Sequence, residues 1–255
     1  MIFHDKRIVI TGGVGGIGQA LVKLFALKGA RVFFTDCSDE DCNEFAEKLD
    51  RKGLKTLFLA GNLRDKLDCE NIIATAVEEM GGVDILINNA GVSPRGTILE
   101  TTDDMWFGAL DVNLTAVFFL CRAVIPHMQA AGGGAIVNVS SAWGIDPGPA
   151  HLAYCTSKGA LGALTRNLGR DHAPDGIRVN AVCPSEINTP MSSGEIMRRV
   201  PDPKPASRIL NRTAQPRQVA DPDEVADVIA FLASHEARNI CGETIGVNGA
   251  KPVYG

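Results

Sequence analysis

Short apolar runs rich in β-branched residues alternate along the chain with longer amphipathic stretches. This is the pattern of βαβ units around a buried parallel sheet, whose strands are covered on both faces and so lose the polar alternation of an exposed sheet. Seven runs read as strands: Arg7–Thr11, Arg31–Asp36, Lys55–Leu59, Asp84–Asn88, Ala135–Val139, Arg178–Val182 and Thr244–Val247. Helices are expected between them over about 17–28, 39–52, 66–80, 103–131, 151–173 and 221–234. The last opens on Asp221-Pro222-Asp223-Glu224, a capping residue followed by proline in the first turn. No repeat or low-complexity linker divides the chain, which predicts one doubly wound α/β domain with helices on both faces of the sheet. One segment, 191–216, has no clean period and mixes prolines 201, 203, 205 and 216 with Arg198, Arg199, Lys204, Arg208 and Arg212. Because it follows the carboxyl end of a strand, where open α/β sheets bind ligands, it is expected to be a substrate loop or lid. A solvated loop is the plainer alternative.

Composition narrows the function. At 45% hydrophobic and 22% charged residues the chain is an ordinary globular one, not a disordered one. A net charge of −5 offers no electrostatic footprint for nucleic acid or an anionic membrane, so neither is an expected partner. The seven cysteines are odd in number and never spaced C-x-x-C, which suggests neither a disulfide framework nor a metal site and fits a reducing cytoplasm. The amino-terminal residues run straight into the first strand without the features of a signal peptide. No segment has the roughly 18 uninterrupted apolar residues of a membrane span.

The chemistry begins at Thr11-Gly12-Gly13-Val14-Gly15-Gly16-Ile17-Gly18, which lies between the first strand and a helix. Glycines there let the backbone turn tightly and approach a pyrophosphate, whose charge is met by amide N–H groups and the positive end of the helix dipole. With the strand and helix alternation, this turn makes the expected fold a Rossmann-type seven-stranded parallel sheet spanning residues 1–255. Asp36 ends the second strand, 18 residues beyond Gly18. A carboxylate there can accept hydrogen bonds from both adenine-ribose hydroxyls and would repel a 2′-phosphate, so NAD rather than NADP is the expected cofactor. The alternative is an aspartate that merely caps the next helix.

Tyr154 and Lys158 stand one helical turn apart on the same face. A free phenol, with a pKa near 10, needs its anion stabilised by about three units, roughly 4 kcal/mol, to act as a base at neutral pH. A positive charge about 4 Å away at an effective dielectric of about 20 supplies a similar amount. Ser141, 13 residues before Tyr154, ends the buried-type strand Ala135-Ile-Val-Asn-Val, followed by Ser140 and Ser141. From that position a hydroxyl can orient a carbonyl substrate and stabilise developing alkoxide charge.

Taken together, TGGVGGIG at 11–18, NNAG at 88–91, Asn113 within DVNL, Ser141, YCTSK at 154–158 and RVNAVCP followed by Thr189 resemble the short-chain dehydrogenase/reductase family over essentially the whole chain. The resemblance implies that Tyr154 is the catalytic acid/base and that Lys158 is its partner, which also binds the nicotinamide ribose. It implies that Ser141 orients the substrate and that Asn113 is a structural residue holding a proton-relay water. Gly12, Gly15, Gly16, Ile17 and Gly18 would form the phosphate turn, and Asn89, Ala90 and Gly91 would border the adenosine ribose. Ile187 and Thr189 align with positions that contact the nicotinamide carboxamide, and Pro184 joins the cofactor set. Asn62 and Leu63 fall beside the adenine ring. Asn62 replaces a commoner Asp, but its amide oxygen could still accept from the adenine amino group. Ser185 stands where glycine is commoner, and Asn248 and Ala250 depart from a VDGG-like ending.

The substrate is the least legible element. Loops around the expected site offer Ser93, Arg95, Trp143, Ile145, His151 and Glu186 as lining residues, of which Arg95, His151 and Glu186 could grip a sugar, polyol or hydroxy acid. The family implies a homotetramer, or a homodimer, with helices carrying Gly159, Ala160, Gly162 and Ala163 meeting across subunits; packing within one chain is the alternative. The expected activity is NAD-dependent interconversion of a secondary alcohol and a ketone. The alternatives are 3-oxoacyl carrier-protein reductase, which Asp36 argues against, and a non-catalytic NAD sensor, which the presence of Ser141, Tyr154 and Lys158 argues against.

Overall fold

A computed structural model describes residues 2–189, 191 and 220–249. Seven strands are formed: β1 (Arg7–Thr11), β2 (Arg31–Thr35), β3 (Leu57–Phe58), β4 (Ile85–Asn88), β5 (Gly134–Val139), β6 (Ile177–Pro184) and β7 (Thr244–Val247). They make one sheet in the order β3-β2-β1-β4-β5-β6-β7, each neighbouring pair parallel. The helices are α1 (Gly16–Leu27), α2 (Asp39–Asp50), α3 (Lys66–Met80), α4 (Asp103–Leu110), α5 (Ala116–Ala130), α6 (Leu152–His172) and α7 (Pro222–Ala233).

Successive strand side chains point to opposite faces, and here both faces are buried. Ile8, Ile10, Phe34 and Ile87 pack with Leu21 and Phe25 of α1, Phe45 of α2 and Ile229 of α7. Val9, Phe33, Leu86 and Ile136 pack on the other side with Ile72 of α3, Leu120 and Val124 of α5 and Leu161 of α6. This explains the absence of polar alternation in the strands. The chain winds outward from β1 through β2 and β3, then returns to lay β4 on the other side of β1. The resulting crevice, at the carboxyl ends of β1 and β4, is where a doubly wound sheet binds its ligand.

Several boundaries differ from the sequence-based expectation. β3, at the edge of the sheet, is only Leu57–Phe58, β2 stops at Thr35 so that Asp36 lies just beyond it, and β6 is extended at both ends. The helix expected over 103–131 is broken by a π-helical segment, Asp111–Thr115, centred on Asn113. By length and apolar composition Asp103–Ala130 would pass for a membrane span. Its Val117, Leu120, Cys121, Val124 and Met128 are instead buried in the core against α3 and the sheet. The proposed lid at 191–216 lies outside the described residues apart from Met191, and Ala250 and Tyr254 lie outside them as well. The starts of α2 and α7 follow ordinary capping. Ser38 accepts from the Asp41 amide at 3.2 Å, and the Asp221 amide donates to Glu224 at 2.9 Å.

A buried polar ladder crosses the apolar core beneath the site. Asn88 of β4 donates to Asn138 of β5 at 2.8 Å, and Asn138 donates to Thr165 of α6 at 2.9 Å. Asn88 directly precedes the turn at Asn89, Asn138 lies two residues before Ser140, and Thr165 is on the helix of Lys158, so the ladder fixes the spacing of three site-bearing elements. Asn138→Ala removes both links while Asn88 Nδ2 keeps Cys121 Sγ and Thr165 Oγ1 keeps the Leu161 carbonyl, and it is expected to lower the unfolding free energy by about 1–2 kcal/mol in urea denaturation. A change within experimental error would show that the ladder is not a stabilising link.

Candidate active site

The glycine turn is a backbone-to-backbone packing problem. Gly12 has φ +67, and a Cβ there would stand 2.8 Å from Ala90 Cα. A Cβ on Gly18 would run into the Gly12 carbonyl, and one on Gly16 into the Thr189 side chain. The turn is stitched to the one after β4. Asn89 Nδ2 donates to the Thr11 and Gly12 carbonyls at 2.9 and 3.0 Å, while Thr11 Oγ1 accepts the Asn89 and Ala90 amides, each at 3.0 Å. Gly15 caps α1 without a side-chain hydrogen bond. The first amides of the helix thus remain available as anion donors with the positive end of the dipole behind them, and the crowded turn excludes side chains from that space. These features fit a dinucleotide pyrophosphate, which Gly12, Gly15, Gly16, Ile17 and Gly18 would hold with Thr189 alongside.

Asp36 is fixed by its neighbours. Its Oδ2 accepts the Val14 amide at 3.1 Å and its Oδ1 the Cys37 amide at 2.8 Å. The carboxylate is therefore tied to the glycine turn, with acceptor capacity left on both oxygens. The following helix is capped by Ser38, so Asp36 is not its cap. Asn62 is more constrained than its sequence position suggests. Its Oδ1 accepts the Arg64 amide at 3.1 Å, closing a side-chain turn before α3 and leaving one lobe for an adenine amino group. Leu63 packs partly buried against the adjoining core.

Lys158 is 4% exposed, and its Nζ donates to the Val139 carbonyl at 2.7 Å. Burial pushes its pKa down to about 8, so at neutral pH it remains an ammonium. That ammonium lies 5.9 Å from the centroid of the Tyr154 ring. Gly91 closes the other side, where a Cβ would be 3.2 Å from Asn113 Oδ1 and 3.3 Å from Lys158 Nζ. Fully buried Asn113 links three segments. It accepts the Val92 amide at 2.8 Å and donates to the Val92 carbonyl and to Ser157 Oγ, both at 2.9 Å. Ser157 in turn donates to the Tyr154 carbonyl at 2.7 Å. Ser141 Oγ accepts the Trp143 amide at 3.1 Å, which occupies an oxygen lobe and directs the hydroxyl proton to another acceptor.

The expected substrate residues divide. Trp143 stands edge-on to Tyr154 at 6.3 Å between centroids and lies 4.3 Å from the His151 ring, so it is a wall of the catalytic cluster. His151 is only 1% exposed and its Nδ1 donates to the Pro149 carbonyl at 2.8 Å, which sets the tautomer, since a carbonyl can only accept. Its ring serves the loop and Trp143, and it faces a groove of about 650 Å³ on the flank of α6 shared with Gly96, Cys155 and Gly159. Ser93, Arg95 and Glu186 are half-buried, and Ile145 is exposed. Pro184, Ile187 and Thr189 are buried at and just after the end of β6, with Thr189 against Gly16. Sequence reasoning missed Thr11, Ser157 and Ser140 as organisers. The signal was position alone: each directly precedes a residue it had singled out.

The lysine gives a pH signature. With the folded pKa at about 8 and the ordinary value 10.5, the unfolded chain holds more protons between those values, so stability rises with pH across that window. In a Tyr154→Phe background, where no phenolate can hold the lysine charged, the unfolding free energy should rise from pH 8 to 10.5 by up to about 3 kcal/mol relative to Tyr154→Phe/Lys158→Met. Parallel urea-denaturation profiles for the two proteins would contradict it.

A family model for short chain dehydrogenase matches residues 6–198. An uncharacterized oxidoreductase of Thermotoga maritima is 37% identical, the alignment covering 98% of each chain. Meso-2,3-butanediol dehydrogenase of Serratia marcescens is 36% identical over 98% of this chain and 95% of its own. Among solved structures, L-sorbose reductase from Gluconobacter frateurii, complexed with NADPH and L-sorbose, superposes with a TM-score of 0.91 at 28% identity, covering 98% of both chains. The glycine turn, the Tyr154 and Lys158 pair and the matched sheet point the same way: the chain is an oxidoreductase of the short-chain dehydrogenase/reductase family.

Proposed function

We propose that this protein interconverts a secondary alcohol and a ketone with NAD as cofactor and Tyr154 as the acid/base. The observation that supports this most is the buried ammonium of Lys158, 5.9 Å from the Tyr154 ring. A unit charge about 6 Å from the phenolate oxygen at an effective dielectric of about 20 would be worth roughly 3 kcal/mol, or about two pK units, most of what a phenol needs to ionise near neutral pH. Ser141 donates its hydroxyl proton to the substrate oxygen and holds it toward Tyr154. In oxidation the Tyr154 phenolate takes the alcohol proton; in reduction the phenol returns it to the forming alkoxide. The nicotinamide cofactor, when bound, accepts or donates the hydride at the carbinol carbon. Asn113 keeps the 91–92 turn, the π segment and α6 in register, so that Lys158 and Tyr154 do not drift apart.

NAD is favoured over NADP by Asp36, a carboxylate held by the Val14 and Cys37 amides just beyond the end of β2 that would repel a 2′-phosphate. The NADPH named for the sorbose reductase makes this choice specific to the chain in hand. The relatives acting on butanediol and sorbose support a small hydroxylated substrate such as a sugar, polyol or hydroxy acid, lined by Ser93, Arg95, Trp143 and Glu186. His151 supports this pocket from behind the Trp143 ring. A cytoplasmic homotetramer, or homodimer, fits the exposed Ala163 on α6 and the exposed Phe118 on α5. Neither nucleic acid nor a membrane is a partner in this reading.

The test is a panel of secondary alcohols and ketones assayed for NADH formation or loss with both cofactors. Tyr154→Phe should retain NADH binding by fluorescence titration and lose about 10²–10⁴ in turnover; near-normal turnover would refute the assignment. Asp36→Arg should lower the NAD to NADP ratio of kcat/KM by at least about tenfold through removal of the repulsive carboxylate. An unchanged ratio would remove Asp36 from cofactor selection.

A further inference from the structure

Three consecutive residues at the carboxyl end of β5 act on one site. Val139 offers its carbonyl to Lys158 Nζ at 2.7 Å, Ser140 donates its hydroxyl to the main-chain carbonyl of Lys158 at 2.9 Å, and Ser141 carries the hydroxyl held by the Trp143 amide. The lysine is thus gripped at its tip and at its root by neighbouring residues. Ser140 is itself buried, and its hydroxyl also reaches the thiol of Cys183 on β6, so one side chain joins β5, β6 and α6. The Lys158 carbonyl lies in mid-helix, where the α-helical bond already uses one lone pair. A second donor there adds nothing the helix requires; what it fixes is where this turn of α6 sits on the sheet.

We propose that Ser140 is a positioning residue: by anchoring the Lys158 turn to β5 it holds the ammonium at the distance from which it stabilises the Tyr154 phenolate. The Coulomb energy varies inversely with separation, so even a small displacement of the turn is felt. The titratable groups facing the ammonium are Tyr154 on its own helix and Cys183 on β6. From the 91–92 turn and the π segment it meets the backbone of Gly91 and the uncharged amide of Asn113. Loss of the Ser140 hydroxyl removes its support of the Lys158 turn and its contact with the Cys183 thiol, and leaves the Val139 carbonyl, Gly91 and Asn113 as they are. The inference rests on the pairing of Tyr154 with Lys158 proposed above, and not on the choice of substrate or cofactor.

The chain has two tyrosines, Tyr154 and Tyr254, so Tyr154 ionisation can be read from the near-ultraviolet phenolate band of the full chain, the step missing in Tyr154→Phe being its own. In Ser140→Ala a displacement of the turn by about 1 Å should move the midpoint up by about 0.3 unit and lower turnover about twofold, with little change in unfolding temperature. Ser140→Cys keeps a weaker donor of similar size; it should give a smaller shift in the same direction, and it carries the test if the alanine variant does not fold. A folded variant whose Tyr154 midpoint equals that of the wild type overturns the proposal even if turnover falls, because a merely structural loss lowers activity without moving the ionisation. The titration needs neither alcohol nor NAD. A wild type that ionises Tyr154 early yet turns over no substrate would therefore refute the proposed reaction and leave the role of Ser140 standing.

Discussion

A cation buried next to a phenol is the constraint around which the rest of the site is arranged. Removing an ammonium from water costs several kcal/mol unless its protons find acceptors, and here the Val139 carbonyl is one of them. The acceptor is a strand end, the lysine is on a helix, and both must be rigid for the pairing to hold. The Asn88, Asn138 and Thr165 ladder and the Asn113 bridge supply that rigidity from below and from the side. Gly91 leaves room for the charge where any side chain would fill it.

The same economy joins the two ends of the crevice. Thr11 accepts from the Asn89 main-chain and side-chain amides and from the Ala90 amide, so that the phosphate turn and the turn after β4 form one body. Gly91, two residues beyond Asn89, lies beside the lysine, with room for no side chain between them. The part of the protein suited to a pyrophosphate and the part suited to proton transfer are thereby held within a few covalent bonds of each other, across strands that adjoin in the sheet but lie far apart in sequence.

Much of this was legible before any coordinates. Buried strands reveal themselves by apolar runs, and the order of strand, glycines and helix at 7–27 identifies the phosphate turn because few other structures need that order. Tyr154, Lys158 and Ser141 were legible as chemistry. Less visible were interactions whose acceptor is main chain, such as Val139 to Lys158, since every residue has a carbonyl and none advertises its use. Asp36 could be located but not its anchorage to Val14, which depends on how the glycine turn folds back. His151 could be named as a lining residue but not its burial beside Trp143, which comes from the turn of the 144–151 loop that periodicity does not encode. β3 was overestimated because an edge strand keeps its apolar pattern after pairing has ended.

The π segment at 111–115 has a consequence for the outer surface of the molecule. A π turn accommodates an extra residue, and one residue corresponds to about 100° of helical rotation. Residues before and after it therefore belong to helices that are out of phase. Phe107 and Phe118 are both exposed, and counting along an uninterrupted helix would place them nearly in line. With the slip between them they point in different directions, so a partner laid along this rod meets two short apolar faces rather than one long stripe.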